Sequence, residues 1–234
     1  AEILLERYGV VTRGSVQAEH YPGSFAAAYR VLCAFEEAGR VRRGYFVAGL
    51  GGAQFGTTGA VDRLRAGGES PDAVVLAATD PANPYGAALP WPERRVRGLE
   101  GTGPAPPSTG AAGPRRSTAD AGHRPGRKAG ALVVLVAGRL VLYVERGGRT
   151  LLSWDVEDGS GGQDPSCPDG PVSGAEVLRR AVDALARAVR DGALGRLTVE
   201  RADGANLLDP AHPLAGPLAA AGFHLTPRGL RIRS

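Results

Sequence analysis

The chain has 234 residues, enough for one large or two small domains with a buried core, and it contains no apolar stretch long enough to span a membrane. Its formal net charge is +4 and Lys128 is its only lysine, so the positive charge is almost entirely arginine; this permits an anionic partner without requiring one. Its only cysteines, Cys33 and Cys167, lack the spacing of a disulfide framework or a metal site, which indicates a reducing, cytoplasmic compartment. The pattern begins abruptly at Ala1 without a methionine or a signal peptide, so we expect a piece of a longer protein.

The first quarter of the chain predicts three short helices followed by two strands. Helices are expected over 3–9, 14–20 and 24–38, because Thr12 and Ser24 are good N-cap residues and Gly9 and Gly39 are good terminators. The third helix carries apolar residues at helical spacing along one buried stripe. Strands over 41–47 and 53–55 follow, joined by a glycine-rich turn. Three helices and a strand–turn–strand are the order of a winged helix, whose wing can meet a phosphate backbone.

The predicted wing is basic. Arg40, Arg42 and Arg43 lie within four consecutive residues, and strand alternation places Arg40 and Arg42 on one face and Arg43 on the other. Tyr45 follows, where its ring can lie along a sugar or a base. The third helix ends in two glutamates at 36–37, which repel phosphate, so we expect backbone recognition by the wing without base readout. The alternative is a winged helix that packs against protein.

The middle of the chain contains a predicted short helix, a predicted strand and a long polar segment. A helix over 59–66 and a buried strand over 72–78 are followed by a proline-rich loop, whose Trp91 should dock on a core. The segment 98–130 has Leu99 as its only large apolar residue. It cannot bury enough surface to offset its ordering entropy, so we expect a disordered insertion that acts as a solvated linker or a weak nucleic-acid tether.

The rest of the chain predicts a β-rich module. Strands over 132–136, 140–145 and 150–154 are separated by short glycine-containing loops and should form a meander. A helix over 174–190 with Ser173 as its N-cap, a strand over 197–200, a short helix over 213–221 and an antiparallel pair over 223–233 complete it. The predicted fold class is therefore α+β, with a winged-helix domain at 1–67 and a β-rich C-terminal module at 68–97 and 131–234 around the insertion.

Motifs for nucleotide, metal or nucleophilic chemistry are absent from the sequence. It has no GxxxxGK[ST] loop for ATP, and its four histidines are scattered without ligand spacing, so we expect no cofactor and no metal in this chain. Asp80, Asp155 and Asp209 each follow a strand-like element beside a proline or a turn. Turn chemistry is one interpretation, and a carboxylate that orients a water for base excision is the other. The sequence assigns no catalytic residue.

Four long runs, 7–13, 41–55, 80–91 and 222–231, resemble the C-terminal region of the large helicase-related (Lhr) proteins of actinobacteria. The resemblance implies a parent ATP-dependent DNA helicase of DNA repair that translocates 3′ to 5′ on single-stranded DNA, with ATP and Mg²⁺ used by an upstream motor. The tail of that family is similar to alkylated-base DNA glycosylases built from tandem winged helices and a β-barrel, which implies a barrel-like module here. Those glycosylases use a glutamine–x–glutamine motif, whereas Gln17, Gln54 and Gln163 lie apart.

The sequence and the resemblance together favour a DNA-binding accessory region of an Lhr-type helicase. Its expected partners are single-stranded or tailed duplex DNA and the upstream helicase domains of the same chain, with association into homo-oligomers left open. The alternatives are a base-excising DNA glycosylase module that uses Asp80 or Asp209, and a purely architectural oligomerisation module.

Overall fold

A computed structural model of the protein describes residues 1–19, 23–67, 72–94, 123–154 and 173–233. The α+β class predicted from the sequence is confirmed, with three separate sheets and six helices in this part of the chain. No helix among these residues is both long and apolar enough to cross a membrane.

The N-terminal part is a winged helix. Its elements are α1 (Glu2–Tyr8), β1 (Val10–Val11), α2 (Arg13–Ala18), α3 (Phe25–Glu37), β2 (Val41–Gly44), β3 (Gln54–Thr57) and α4 (Thr58–Ala66). β3 is the central strand of an antiparallel sheet in the order β1-β3-β2. The core between this sheet and the first three helices contains Val11, Leu32, Val41 and Phe55. The two-residue strand β1 was not predicted, because it is too short to show a period of two.

The ends of the helices follow the local sequence. Thr12 caps α2 in a capping box, in which its hydroxyl oxygen accepts from the Ser15 amide at 3.1 Å and the Ser15 hydroxyl oxygen accepts from the Thr12 amide at 2.9 Å. Gly39 follows α3 with a φ of +70°, which a residue with a side chain rarely adopts. The predicted cap Thr12 and terminator Gly39 are therefore confirmed.

A six-stranded sheet forms the centre of the C-terminal module. Its strands are β4 (Ala73–Ala77), β5 (Leu132–Val136), β6 (Arg139–Val144), β7 (Thr150–Ser153), β9 (Arg201–Ala202) and β10 (Ala205–Asn206), in the order β10-β9-β7-β6-β5-β4. The predicted meander is confirmed by the antiparallel ladders of β5 with β6 and of β6 with β7. The predicted burial of β4 is wrong: it is an edge strand, and Val74 is 47% exposed.

A second, three-stranded sheet has the order β11-β12-β8, from β8 (Leu197–Val199), β11 (His224–Thr226) and β12 (Gly229–Ile232). The chain passes from this sheet to the six-stranded one at Glu200, between β8 and β9. The helices α5 (Gly174–Arg190) and α6 (Ala215–Ala220) pack with both sheets around one large core. The predicted cap of α5 is confirmed, because the Ser173 hydroxyl oxygen accepts from the Glu176 amide at 3.3 Å.

The barrel-like closure implied by the family resemblance is not found among the described strands. The six-stranded sheet is open, with β10 and β4 at its two edges. α5 packs across β4, β5 and β6 on one face. The other face is covered by the loop after β4, where Trp91 stacks with Tyr85 at 6.4 Å and meets Tyr143 edge-on at 5.8 Å between ring centroids. With both faces covered in this way the sheet needs no closure to bury its apolar side chains, and the predicted docking of Trp91 is confirmed.

Part of the predicted disordered insertion is ordered. Residues 123–130 lie within the described structure, and Arg127 donates from Nη1 and Nη2 to the carbonyl oxygens of Asn83, Tyr85, Thr79 and Asp80 at 2.8–3.4 Å. Tyr143 also donates to the carbonyl of Gly126 at 3.2 Å. The predicted disorder is therefore wrong for residues 123–130, because the guanidinium of Arg127 offers enough donors to hold a segment that has no large apolar side chain. Residues 98–122 lie outside the described residues.

The winged helix and the C-terminal module meet at α2. A Cβ atom on Gly14 would lie only 2.5 Å from the carbonyl oxygen of Ala87, so α2 and the loop after β4 are in backbone contact. A glycine weakens a six-residue helix, and this contact gives the physical reason for one at this position.

Candidate nucleic-acid interface

The loop of the wing is held by the buried amide of Gln54, which is 1% exposed. Its Oε1 accepts from the backbone amides of Phe46 and Val47 at 3.0 and 2.8 Å. Its Nε2 donates to the carbonyl oxygens of Val47, Leu50 and Gly51 at 3.2, 3.4 and 3.0 Å. These bonds use the whole hydrogen-bonding capacity of the amide, so the wing has one preferred loop conformation. Sequence reasoning missed this role, although a lone polar residue in an apolar strand beside a glycine-rich turn was the available signal.

Tyr45 stands at the tip of β2 and is 82% exposed. Its ring lies against the backbone of Gly52, since a Cβ atom there would be 2.8 Å from both Cζ and Oη of Tyr45. The wing therefore presents an aromatic ring that is supported from beneath and open to solvent, which is the arrangement that a base or a sugar can stack on.

Arg42 is exposed on β2, opposite Gly56 of β3. It has no hydrogen bond or ion pair with any residue in the described part of the chain. Its guanidinium is therefore available to an external anion.

Arg43 points to the other face of the wing, as strand alternation predicted. Its Nη1 donates to the Tyr29 hydroxyl at 2.9 Å, and its Nε lies 3.3 Å from a carboxylate oxygen of Glu36. The negative charge of Glu36, with the Tyr29 hydrogen bond, raises the pKa of Arg43 above its usual value. Arg43 thus connects the wing to α3.

Arg40 precedes β2 and turns towards the helices. It forms an ion pair with Glu2 of α1, and its guanidinium carbon lies 4.3 Å from the centroid of the Phe35 ring. The hydrogen bond and charge of Arg40 lower the pKa of Glu2. Of the predicted site residues, the structure leaves Arg42 without a polar partner among the described residues and the Tyr45 ring open to solvent on one side, and it gives Arg40 and Arg43 partners within the winged helix. Both ion pairs are exposed, so solvent and salt screen them.

A cleft of about 700 Å³ lies between α2 and the start of α3, lined in part by Arg13, Gln17, Phe25 and Tyr29. Tyr29 lies behind Arg43, so this cleft borders the helical side of the wing. Arg13 and Gln17 are exposed at its rim.

The candidate carboxylates occupy turns. Asp80 accepts from the backbone amide of Ala82 at 2.8 Å, and Asp209 accepts from that of Ala211 at 2.9 Å. Both are Asx turns, which is the turn interpretation given above. Asp155 lies outside the described residues. No group of three or more histidines, cysteines or carboxylates that could hold a metal occurs among the residues searched.

A buried ion pair that the sequence did not reveal joins Arg94 to Asp203 at 2.6 Å, with side chains 6% and 18% exposed. Asp203 also accepts from the amide and the hydroxyl of Ser153 at 2.7 and 2.6 Å. These bonds engage both carboxylate oxygens, so Asp203 links β7 and Arg94 to the β9–β10 turn.

Comparison with known proteins supports the helicase-related resemblance. Residues 1–75 match the family model described as the winged-helix domain of the large helicase-related protein. The whole chain is 45% identical over 245 aligned residues to a Mycolicibacterium smegmatis protein named Lhr helicase/probable uracil glycosylase. It is 34% identical over 236 residues, 98% of the chain, to an Escherichia coli protein named Lhr helicase/uracil glycosylase. The chain spans only 14% and 12% of the lengths of these relatives.

Proposed function

This chain belongs to the family of large helicase-related (Lhr) proteins, as a segment of their C-terminal region, and from this premise we propose that it is a DNA-binding accessory region of an Lhr-type helicase. ATP hydrolysis with Mg²⁺ and 3′-to-5′ translocation on single-stranded DNA during repair would belong to other domains of the longer, cytoplasmic protein. Those domains and single-stranded or tailed duplex DNA are its proposed partners.

The observation that carries the proposal is the preorganised wing. Gln54 fixes the loop, so that the backbone carrying Tyr45 and Arg42 needs no ordering at the moment of binding. Arg42 supplies a charge for a phosphate, and the Tyr45 ring supplies a stacking surface that tolerates any base. Recognition of this kind reads charge and shape rather than sequence.

Arg40 and Arg43 can join the same contact. Their carboxylate partners, Glu2 and Glu36, are exposed, so a phosphate can compete for the guanidinium groups at modest cost. The three arginines would then neutralise at most about three phosphates, each adding roughly 0.7 to 0.9 to the salt slope of log affinity. Such binding is weak, and it becomes useful when added to a stronger motor domain in the same chain.

The test replaces Arg40, Arg42 and Arg43 together by alanine and measures the affinity for fluorescent oligonucleotides of several sequences over a range of salt. We expect lower affinity, a salt slope smaller by about 2, and equal effects on all sequences. The matched control is the triple variant Arg65→Ala, Arg179→Ala and Arg180→Ala, which removes the same charge from arginines that pair with carboxylates on helices. An unchanged slope in the wing variant would show that the wing faces protein.

A second candidate function, excision of uracil from DNA, is supported by the names of both relatives. Asp80 and Asp209 are the residues proposed from the sequence, although their Asx turns already give each carboxylate a structural task. Incubation with a uracil-containing oligonucleotide followed by alkali reports base loss as strand cleavage. If Asp80→Asn or Asp209→Asn abolishes the cleavage, catalysis by that carboxylate is favoured. If the wild-type chain gives no cleavage, only the DNA-binding proposal remains.

A further inference from the structure

We infer that the solvent-facing side of the sheet β11-β12-β8 is a second binding surface for the sugar-phosphate backbone of DNA. Its arginines are Arg228 in the β11–β12 turn, Arg231 on β12, Arg233 just after β12 and Arg196 just before β8. The wing is in a different sheet, so the two surfaces are separate.

The register of the sheet puts Arg231, Arg233 and Arg196 on one face, and Arg228 is exposed in the turn at its end. His224, Arg231 and Thr198 are cross-strand partners on the three neighbouring strands, and cross-strand partners point to the same side. The Nε of Arg231 donates to the Thr198 hydroxyl at 3.2 Å, which confirms the shared side. Arg233 and Arg196 lie two residues from Arg231 and Thr198, so alternation gives them the same direction.

On β12 and β8 the opposite face packs on the core. Leu230, Ile232, Leu197 and Val199 alternate with the residues above and are all buried, whereas Leu225 of β11, the cross-strand partner of Leu230, is 72% exposed. β12 and β8 are therefore amphipathic, with aliphatic side chains inward and polar or cationic ones outward. His224, Arg196 and Arg233 are exposed, and Arg231 is half-buried beside Thr198.

The arginines of this face carry positive charge that no carboxylate of the described residues offsets. No ion pair involves Arg196, Arg228, Arg231 or Arg233 within the described ranges. Six other exposed arginines are paired with carboxylates, namely Arg7, Arg40, Arg43, Arg65, Arg149 and Arg179, whereas exposed arginines such as Arg13, Arg30 and Arg187 pair with no described carboxylate. Glu200, which follows β8, is itself paired with Arg149 at 3.5 Å, so its charge is offset.

The spacing suits a polyanion. Arginines two residues apart on a strand lie roughly 6.6 Å apart, and neighbouring strands lie about 4.8 Å apart. Long guanidinium side chains on this lattice can reach successive phosphates of one backbone. Because no aromatic ring other than that of His224 stands in the cross-strand row, the face offers charge without a stacking platform. The ligand it fits is therefore the phosphodiester backbone, in single-stranded or duplex DNA alike.

The test compares the triple variant Arg228→Ala, Arg231→Ala and Arg233→Ala with a control variant Arg65→Ala, Arg179→Ala and Arg180→Ala. Both lower the net charge by the same amount, but the control arginines pair with carboxylates on helices. Binding to a fluorescent single strand and to the matching duplex is measured against salt. We expect the salt slope to fall by about 2 in the first variant only, since each lost phosphate contact removes roughly 0.7 to 0.9. A slope equal to that of the control overturns the inference.

The double variant Arg196→Ala and Arg233→Ala covers the case in which the triple variant does not fold, because both residues lie outside the strand ladder. In this double variant we expect the salt slope of log affinity to fall by roughly 1 to 2. The inference takes its ligand from the proposed function but stands apart from the wing. If the wing variant binds DNA as the wild type does and the sheet variant binds more weakly, the proposal for the wing is wrong and the proposal for this sheet is supported. If only the wing variant binds more weakly, the proposal for this sheet alone is wrong. No binding by the wild-type chain at low salt overturns both.

Discussion

Replacing Gln54 by leucine should open the wing while leaving the rest of the winged helix folded. Leucine fills a similar volume but removes the two hydrogen bonds that Oε1 accepts and the two that Nε2 can donate, shared among three loop carbonyls. At about 1 kcal/mol of net contribution for each bond, the loss would approach about 4 kcal/mol if the loop kept its conformation. The loop can instead open to water, which satisfies its backbone groups again. We therefore expect a global loss of about 1–3 kcal/mol together with local opening.

The measurement is amide hydrogen exchange at Phe46 and Val47, whose backbone N–H groups both donate to Gln54. Their exchange should accelerate strongly in Gln54→Leu, and the stability change should appear in denaturant unfolding. Gln17→Leu is the matched control, because Gln17 is an exposed glutamine at the rim of the α2–α3 cleft. Continued protection of the Phe46 and Val47 amides in Gln54→Leu would refute the assignment of Gln54 as the residue that holds the wing.

Glycine substitutions and proteolysis test other contacts. Gly14→Ala should destabilise the protein despite its better helix propensity, because the new Cβ would collide with the loop after β4, whereas Gly59→Ala in α4 has open space and should be neutral or stabilising by up to about 1 kcal/mol in thermal unfolding. Gly52→Ala should displace the tyrosine ring that lies on it and shift its NMR signals, while Gly51→Ala, where nothing lies within 4 Å, should not. Trypsin should cut after arginines of 98–122 before it cuts after Arg127, whose side chain binds four carbonyls; equal rates at both places would contradict the ordering of 123–130.

Local patterns in the sequence were enough to predict much of the fold. The helix over 174–190 agrees with α5 residue for residue, because its apolar periodicity and its Ser173 cap are both properties of neighbouring residues. The β5–β7 meander was accessible for the same reason, since short glycine loops between apolar runs constrain their pairing.

Features that depend on distant residues were not predictable in this way. The ion pair of Arg94 and Asp203 joins side chains 109 residues apart, and no periodicity links them. The parallel pairing of β7 with β9 likewise joins strands about fifty residues apart, and the edge strands β10 and β4 do not pair to give the barrel-like form that was expected. At the wing, alternation placed Arg43 correctly, but Arg40 lies before the strand and follows the attraction of Glu2 and Phe35 instead. The Gln54 amide was missed because its partners belong to a loop whose conformation it creates.

The order of the strands also has a consequence for biosynthesis. β7 pairs with β6 on one side, but its other neighbour, β9, comes about fifty residues later, the separation of Ser153 and Asp203. At about 5–20 residues per second, a ribosome needs roughly 3–10 s to make that stretch. During this interval we expect the backbone N–H and C=O groups at the free edge of β7 to stay unpaired, and such an edge is a template for pairing with another chain. A chain that stops before Arg201 never pairs that edge with β9, so truncated products should aggregate or be bound by chaperones.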